Sequence, residues 1–172
     1  MSLPKTQSTL LASAGEHLVL SHLLRRGLIA SIAPSNTEHY DIVITNKAGG
    51  KFIPVQVKTA TRDSWILSEK NEIAHKGLIY IFIYLSEDNE PEEFYIMPSK
   101  KVAEVTKMSY EIWLEMLGQS GVLHKKTSIR VLKRDHAYLK SKVRKHVKFL
   151  VNHKTGWLEG YKNNWELVID LL

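Results

Sequence analysis

The sequence predicts an α/β or α+β domain in which helices flank a sheet. Three observations carry that expectation. A long apolar stretch near the start, STLLASAGEHLVLSHLLRRG, has helix signals at both ends. Short β-rich runs separated by turn residues follow it, and a second helical stretch comes after them. The 172 residues suit one compact domain, and 44% apolar residues suffice for a core. The expected division is a single domain over 1–172, with a core over about 9–118, a basic C-terminal segment over about 122–156 and a closing element over 163–172.

Each element has its own local signal. Ser8 or Thr9 caps the first helix, and Arg25, Arg26 and Gly27 end it. Apolar residues cover most of its circumference, which predicts packing on more than one side. LIASIA reads as a short strand and PSNTEH as a polar loop. YDIVITN and KFIPVQVKT alternate as half-buried strands do, and KAGG is the turn between them. Pro54 has no N–H to give a ladder, so it is expected at an edge or a bulge. RDSWILSEKNEIAHKG predicts a short strand and a loop. LIYIFIYL is apolar throughout, as befits a strand covered on both faces. An acidic turn, SEDNEPEE, separates it from a further strand, FYIMP. SKKVAEVTKM reads as a helix capped by Ser99, and SYEIWLEMLGQSG as a helix ending at glycine. The basic segment fits neither period. NNWELVIDLL closes the chain as a short helix or strand docked through Trp165.

Composition narrows the function classes. No apolar run approaches the ~18 residues of a membrane span, and the start lacks a charged-then-apolar signal layout. The absence of cysteine excludes disulfides, thiolate ligands and cysteine nucleophiles, and a cytoplasmic location is the default expectation. No P-loop, GxSxG or GxGxxG is present, and KAGGK lacks the Walker spacing. The formal charge of +6 is unevenly spread. Residues 122–156 carry eleven Lys and Arg against the one acid Asp135, so that segment is near +10 and the remainder near −4. Such asymmetry points to a polyanion, most often nucleic acid, rather than to a membrane surface; the ordinary alternative is a solvated basic face with no partner.

Three polar side chains interrupt the two alternating strands: Asp41, Gln56 and Lys58. Strand alternation puts Gln56 and Lys58 on one face. Counting outward from the Gly49-Gly50 tip, Asp41 lies eight positions before Gly49 and Lys58 eight after Gly50, so acid, amide and ammonium converge within a residue or two. A carboxylate and an amide carbonyl are hard oxygen ligands for Mg²⁺. A lysine beside them can hold a water or stabilise charge on an attacked phosphate. Glu16, among Ala12, Ser13, Val19 and Leu20 on its helix, is the candidate second acid. Taken singly, each has an ordinary reading: a strand-end or turn acid, a solvent-facing lysine, a helix acid paired with His17, Arg25 or a strand lysine.

Taken together, Glu16 in an apolar helix, Asp41 opening a strand and Gln56-Val57-Lys58 on the next resemble the PD-(D/E)XK, or restriction-endonuclease-like, nuclease superfamily over roughly residues 9–100. The resemblance implies a mixed central sheet flanked by helices in αβββαβ order, with a basic C-terminal extension here. It implies a Mg²⁺ (or Mn²⁺)-dependent endonuclease hydrolysing DNA phosphodiester bonds. Asp41 corresponds to the metal-binding acid, Lys58 to the lysine and Glu16 to the helix acid, while the Val57 carbonyl adds an oxygen. Two positions depart from the pattern. Tyr40 rather than proline precedes Asp41, and Gln56 stands where an acid is usual, which removes a negative charge. Arg25, Arg26, Ser35, Asn36, Thr59 and Arg62 flank the site in sequence, and Lys125, Lys126, Arg130, Lys133 and Arg134 belong to the basic segment. All are candidate contacts to a double-stranded DNA backbone. One site per chain cuts one strand, so double-strand cleavage calls for a homodimer. The alternatives are a catalytically weak or inactive nucleic-acid-binding protein with the same fold, or a nuclease acting on RNA or branched DNA.

Overall fold

A computed structural model of the chain describes residues 5–34, 37–86, 90–118, 120–134 and 156–172. Helix α1 (Lys5–Arg25) precedes strands β1 (Ile29–Ile32), β2 (Ile42–Thr45), β3 (Phe52–Ala60) and β4 (Ser64–Ser68). A 3₁₀ turn (Glu69–Glu72), β5 (Ile79–Tyr84), β6 (Glu93–Pro98), α2 (Ser99–Glu115), β7 (Ile129–Lys133) and α3 (Glu166–Ile169) follow. Five strands form one mixed sheet in the order β1-β2-β3-β5-β6, in which β3 and β5 run parallel and the other neighbours antiparallel. Strands β4 and β7 pair separately. The α/β architecture expected from the sequence, a mixed sheet flanked by helices, is the one the chain forms.

Alternation assigns the two faces of the sheet. Ile42, Ile44, Val55, Val57, Ile79, Ile81 and Ile83 pack with Val19 and Leu23 of α1 and with Trp165 and Val168 near the C-terminus. Tyr80, Phe82, Tyr95 and Met97 face the other way, onto Val102, Val105 and Ile112 of α2 and onto Trp65 and Leu132 of the β4–β7 pair. Strand β5 is thus buried from Ile79 through Ile83, which accounts for its unbroken apolar run. Pro54 lies one residue before the β5 ladder begins at Val55. Val55 turns its carbonyl to the β2 side, where it accepts from Asp41 N. Pro54 therefore faces the open side, and its missing N–H costs no ladder bond.

Several local expectations are corrected. Helix α2 is continuous from Ser99 to Glu115 and stops before the glycines, so the two helical stretches are one element. Ser99 does not cap it. Pro98 holds the cap position, and the buried Ser99 Oγ accepts from His75 N at 3.0 Å, which fastens the helix start to the chain leading into β5. The ambiguous basic segment contains β7, held in register with β4 by Trp65 opposite Leu132. The rest of that segment, 135–155, lies outside the described residues. The C-terminal helix docks as Trp165 leads it to do. That ring stacks on His22 with centroids 5.4 Å apart, and the Arg26 guanidinium lies over it at 4.3 Å. No described helix is long and apolar enough to cross a membrane.

Candidate metal centre

The register of the β2–β3 hairpin gathers its polar residues. Ile42 stands opposite Val55, which puts Asp41 beside Gln56 and two residues short of Lys58. Strand β2 begins at Ile42, whereas β3 runs on to Ala60 with β5 along one side. Beyond Gln56 no residue of β2 flanks β3, and a notch opens in the sheet there. Asp41 stands at its rim. Its Oδ2 accepts from Val57 N at 2.7 Å and from Gln56 Nε2. Because a strand residue turns its N–H and C=O to the same side, the Val57 carbonyl also points into the notch.

Helix α1 reaches the notch through a close backbone approach. A Cβ at Gly15 would lie 1.9 Å from Thr59 Oγ1 and 3.0 Å from Thr59 Cβ, so the helix rests on β3 at that point only because glycine stands there. Glu16 is the next residue. Its half-buried carboxylate makes no ion pair or hydrogen bond among the described residues. Burial first, and then the charge of Asp41, push its pKa up, while His17 and Lys58 pull it down. Lys58 is likewise half-buried and without an ion pair among the described residues. Burial pushes its pKa down, and Asp41 and Glu16 oppose that shift. Asp41 is a cause of both shifts, so Glu16 and Lys58 lie within its electrostatic reach from two other elements.

The donor set suits a hard divalent cation. Two carboxylates that repel each other, an amide whose oxygen turns inward by rotation about its last bond, and an unflanked main-chain carbonyl are the oxygen ligands Mg²⁺ or Mn²⁺ accepts. Among the described residues no group of three His, Cys, Asp or Glu side chains is placed to hold a metal. The candidate set holds two carboxylates, and an ion that keeps several waters needs only one or two. The raised pKa of Glu16 has a measurable consequence in metal-free protein. The fold binds this proton more tightly than the unfolded chain does, so ionising Glu16 opposes folding. Glu16→Gln is expected to match the wild type in thermal midpoint below about pH 4.5 and to exceed it progressively as pH rises from there through the raised value. Equal midpoints at all pH values would refute the assignment.

The candidate backbone contacts are placed unevenly. Ser35 and Asn36 lie outside the described residues. Lys125, Lys126, Arg62 and Lys133 are exposed, as is Arg25 at the far end of α1 from Glu16. Arg26 is engaged by Trp165. Thr59 Oγ1 is buried under Gly15 with no hydrogen-bond partner among the described residues, so it is not open to phosphate. Arg130 is buried, bonded to Glu72 and stacked 3.4 Å from the Tyr110 ring centre, which makes it a support of the β4–β7 pair. Arg134 is occupied by Glu93 at 3.3 Å and by the Tyr84 ring at 4.0 Å. Two residues that sequence reasoning passed over matter to the site. A glycine inside an apolar helix, Gly15, is a signal of close approach. Tyr80 is the Cα partner of Gln56 in the ladder, on the face that alternation within LIYIFIYL assigns to Tyr80, Phe82 and Tyr84.

No family model matches the chain, and no curated protein matches it. Among solved structures, a bacterial homing endonuclease is similar over 94% of this chain and 93% of its own, at 14% identity and a TM-score of 0.49. A Holliday junction resolvase from the archaeal hyperthermophile Archaeoglobus fulgidus is similar over 71% of this chain and 83% of its own, at 14% identity and a TM-score of 0.41.

Proposed function

We propose that the chain is a Mg²⁺- or Mn²⁺-dependent endonuclease of the PD-(D/E)XK type that hydrolyses DNA phosphodiester bonds. The observation that supports this reading is Asp41 bonded to Gln56 and to Val57 N at the notch where β2 ends, with Glu16 and Lys58 within reach of its charge. When bound, the cation supplies Lewis-acid polarisation of the phosphoryl oxygens and neutralises their developing charge. Asp41, Glu16, the Gln56 amide oxygen and the Val57 carbonyl hold it. Lys58 Nζ orients the attacking water in line with the leaving oxygen and donates to the phosphate. Exposed lysines such as Lys125 and Lys126 hold the duplex backbone, so affinity falls with salt. Cutting both strands requires two copies of the chain.

Supercoiled plasmid tests the reading. Nicking is expected in Mg²⁺ or Mn²⁺, and it should stop on chelation. Gln56→Glu supplies the acid usual at this position. It is expected to lower the Mg²⁺ concentration needed for half-maximal nicking. It also replaces the Gln56 Nε2 donor to Asp41 with a like charge, so the metal-free thermal midpoint should fall. DNA binding without nicking in either metal would favour the non-catalytic binding protein instead.

A further inference from the structure

The proposed metal centre shares Gln56 and Lys58 with a cleft that contains a buried donor the fold leaves unused. One wall is the sheet face bearing Gln56, Lys58 and Tyr80, and Ser68, Lys70 and Asn71 close the far side around a space of about 210 Å³. The orientation of Asn71 follows from its partners. Ser68 N can only donate, and it meets Asn71 Oδ1 at 2.9 Å. Asn71 Nδ2 is therefore the group 2.9 Å from Tyr80 Oη, and the tyrosine oxygen accepts. The Tyr80 O–H is left to donate elsewhere. Among the described residues nothing accepts it, although Tyr80 is only 3% exposed. A buried donor without an acceptor calls for a ligand oxygen or water.

The charges around the cleft favour an anion. Lys58 and Lys70 both line it, and neither is in an ion pair among the described residues. Of the nearby acids, Glu38 on the rim has a side chain 79% exposed and meets His39 at 3.7 Å, while Asp41, whose charge reaches Tyr80, lies outside the lining. His39 adopts a left-handed φ of 74°, uncommon for a residue with a side chain, two positions before Asp41. The chain is thus held in a costly conformation where the cleft adjoins the metal centre.

We propose that this cleft seats a phosphate of the polynucleotide adjacent to the one that is cut, with Tyr80 Oη and Lys70 Nζ as its donors. The identity of the ligand rests on the nuclease reading. Binding of a fluorescein-labelled DNA duplex in Ca²⁺, read by anisotropy over a range of salt, tests the cleft separately from catalysis. Lys70→Gln is expected to weaken binding and to reduce the slope of log affinity against log salt by about 0.9, one phosphate contact. Tyr80→Phe removes a neutral donor, so it should weaken binding roughly tenfold or more while leaving that slope unchanged. Lys51→Gln, at an exposed position in the hairpin loop, should do neither. Wild-type affinity and slope in both Lys70→Gln and Tyr80→Phe would overturn the proposal, as would a wild-type protein that binds no duplex. If both variants behave as expected but the wild type nicks no plasmid in Mg²⁺ or Mn²⁺, the cleft stands and the nuclease reading falls.

Discussion

Replacing Lys58 with methionine is expected to abolish plasmid nicking and, in metal-free protein, to raise the thermal midpoint at neutral pH. Both effects come from one half-buried ammonium. Its pKa lies below the usual 10.5 because burial outweighs the attraction of Asp41 and Glu16. The fold therefore binds this proton less tightly than the unfolded chain does, and the charged form opposes folding. That opposition is fully present below the lowered pKa and is relieved as pH rises towards 10.5. Methionine retains an apolar stem of similar length and has no charge to desolvate. Its advantage should hold at neutral pH and shrink in strong alkali. The same substitution removes the donor proposed to orient water and steady the phosphate, a loss on the order of 10²–10³ in rate. Thermal melts at neutral and alkaline pH beside nicking assays measure both halves. Full nicking by Lys58→Met would point to a contaminating activity and remove Lys58 from the mechanism.

What could be read from the sequence divides along the range of the interactions involved. Asp41, Gln56 and Lys58 were traceable because a hairpin is local. Side-chain alternation and equal counting from the glycine tip put acid, amide and amine at one level, and the register confirms Asp41 beside Gln56. The body of α1 and the whole of β5 had equally local causes, although α1 begins at Lys5 and takes Ser8 and Thr9 into its interior instead of being capped by them. The pairing of β4 with β7 did not. Trp65 meets Leu132 across more than sixty residues, and no periodicity within either strand names its partner. The basic segment failed for the same reason. Arg130 counts as a surface charge until Glu72, 58 residues away, claims its guanidinium. Adjacency to Lys58 makes Thr59 a candidate phosphate contact, but alternation sends it to the opposite face, beneath Gly15. Ser99 had the right residue type for a cap. Packing against the His75 main chain took its hydroxyl instead.

Gly15→Ala should damage stability and cleavage together, because one contact serves both. Alanine is the better helix former by ~1 kcal/mol, so helix propensity alone predicts stabilisation. The contact decides otherwise. The new methyl would sit 1.9 Å from Thr59 Oγ1, 3.0 Å from its Cβ and 3.1 Å from its Cγ2, so rotating Thr59 only exchanges one clash for another. The remaining relief is for α1 to lift from β3, which loosens Val19 and Leu23 against Val55 and Val57. Overpacking of this kind costs about 1–3 kcal/mol, which exceeds the propensity gain over most of that range. Glu16 moves with the helix, and a displacement of about 1 Å in a catalytic group is worth roughly 10²-fold in rate. Thr59→Ala supplies the discriminating partner. It removes the hydroxyl nearest the intruding methyl, an oxygen that is buried without a hydrogen bond, so alone it should cost little. Combined with Gly15→Ala it should restore part of the stability and of the nicking rate, with a coupling of about 0.5–3 kcal/mol in a double-mutant cycle. Strict additivity would mean that α1 does not bear on β3 through these two residues, and Glu16 would then lose the support that holds it over the notch.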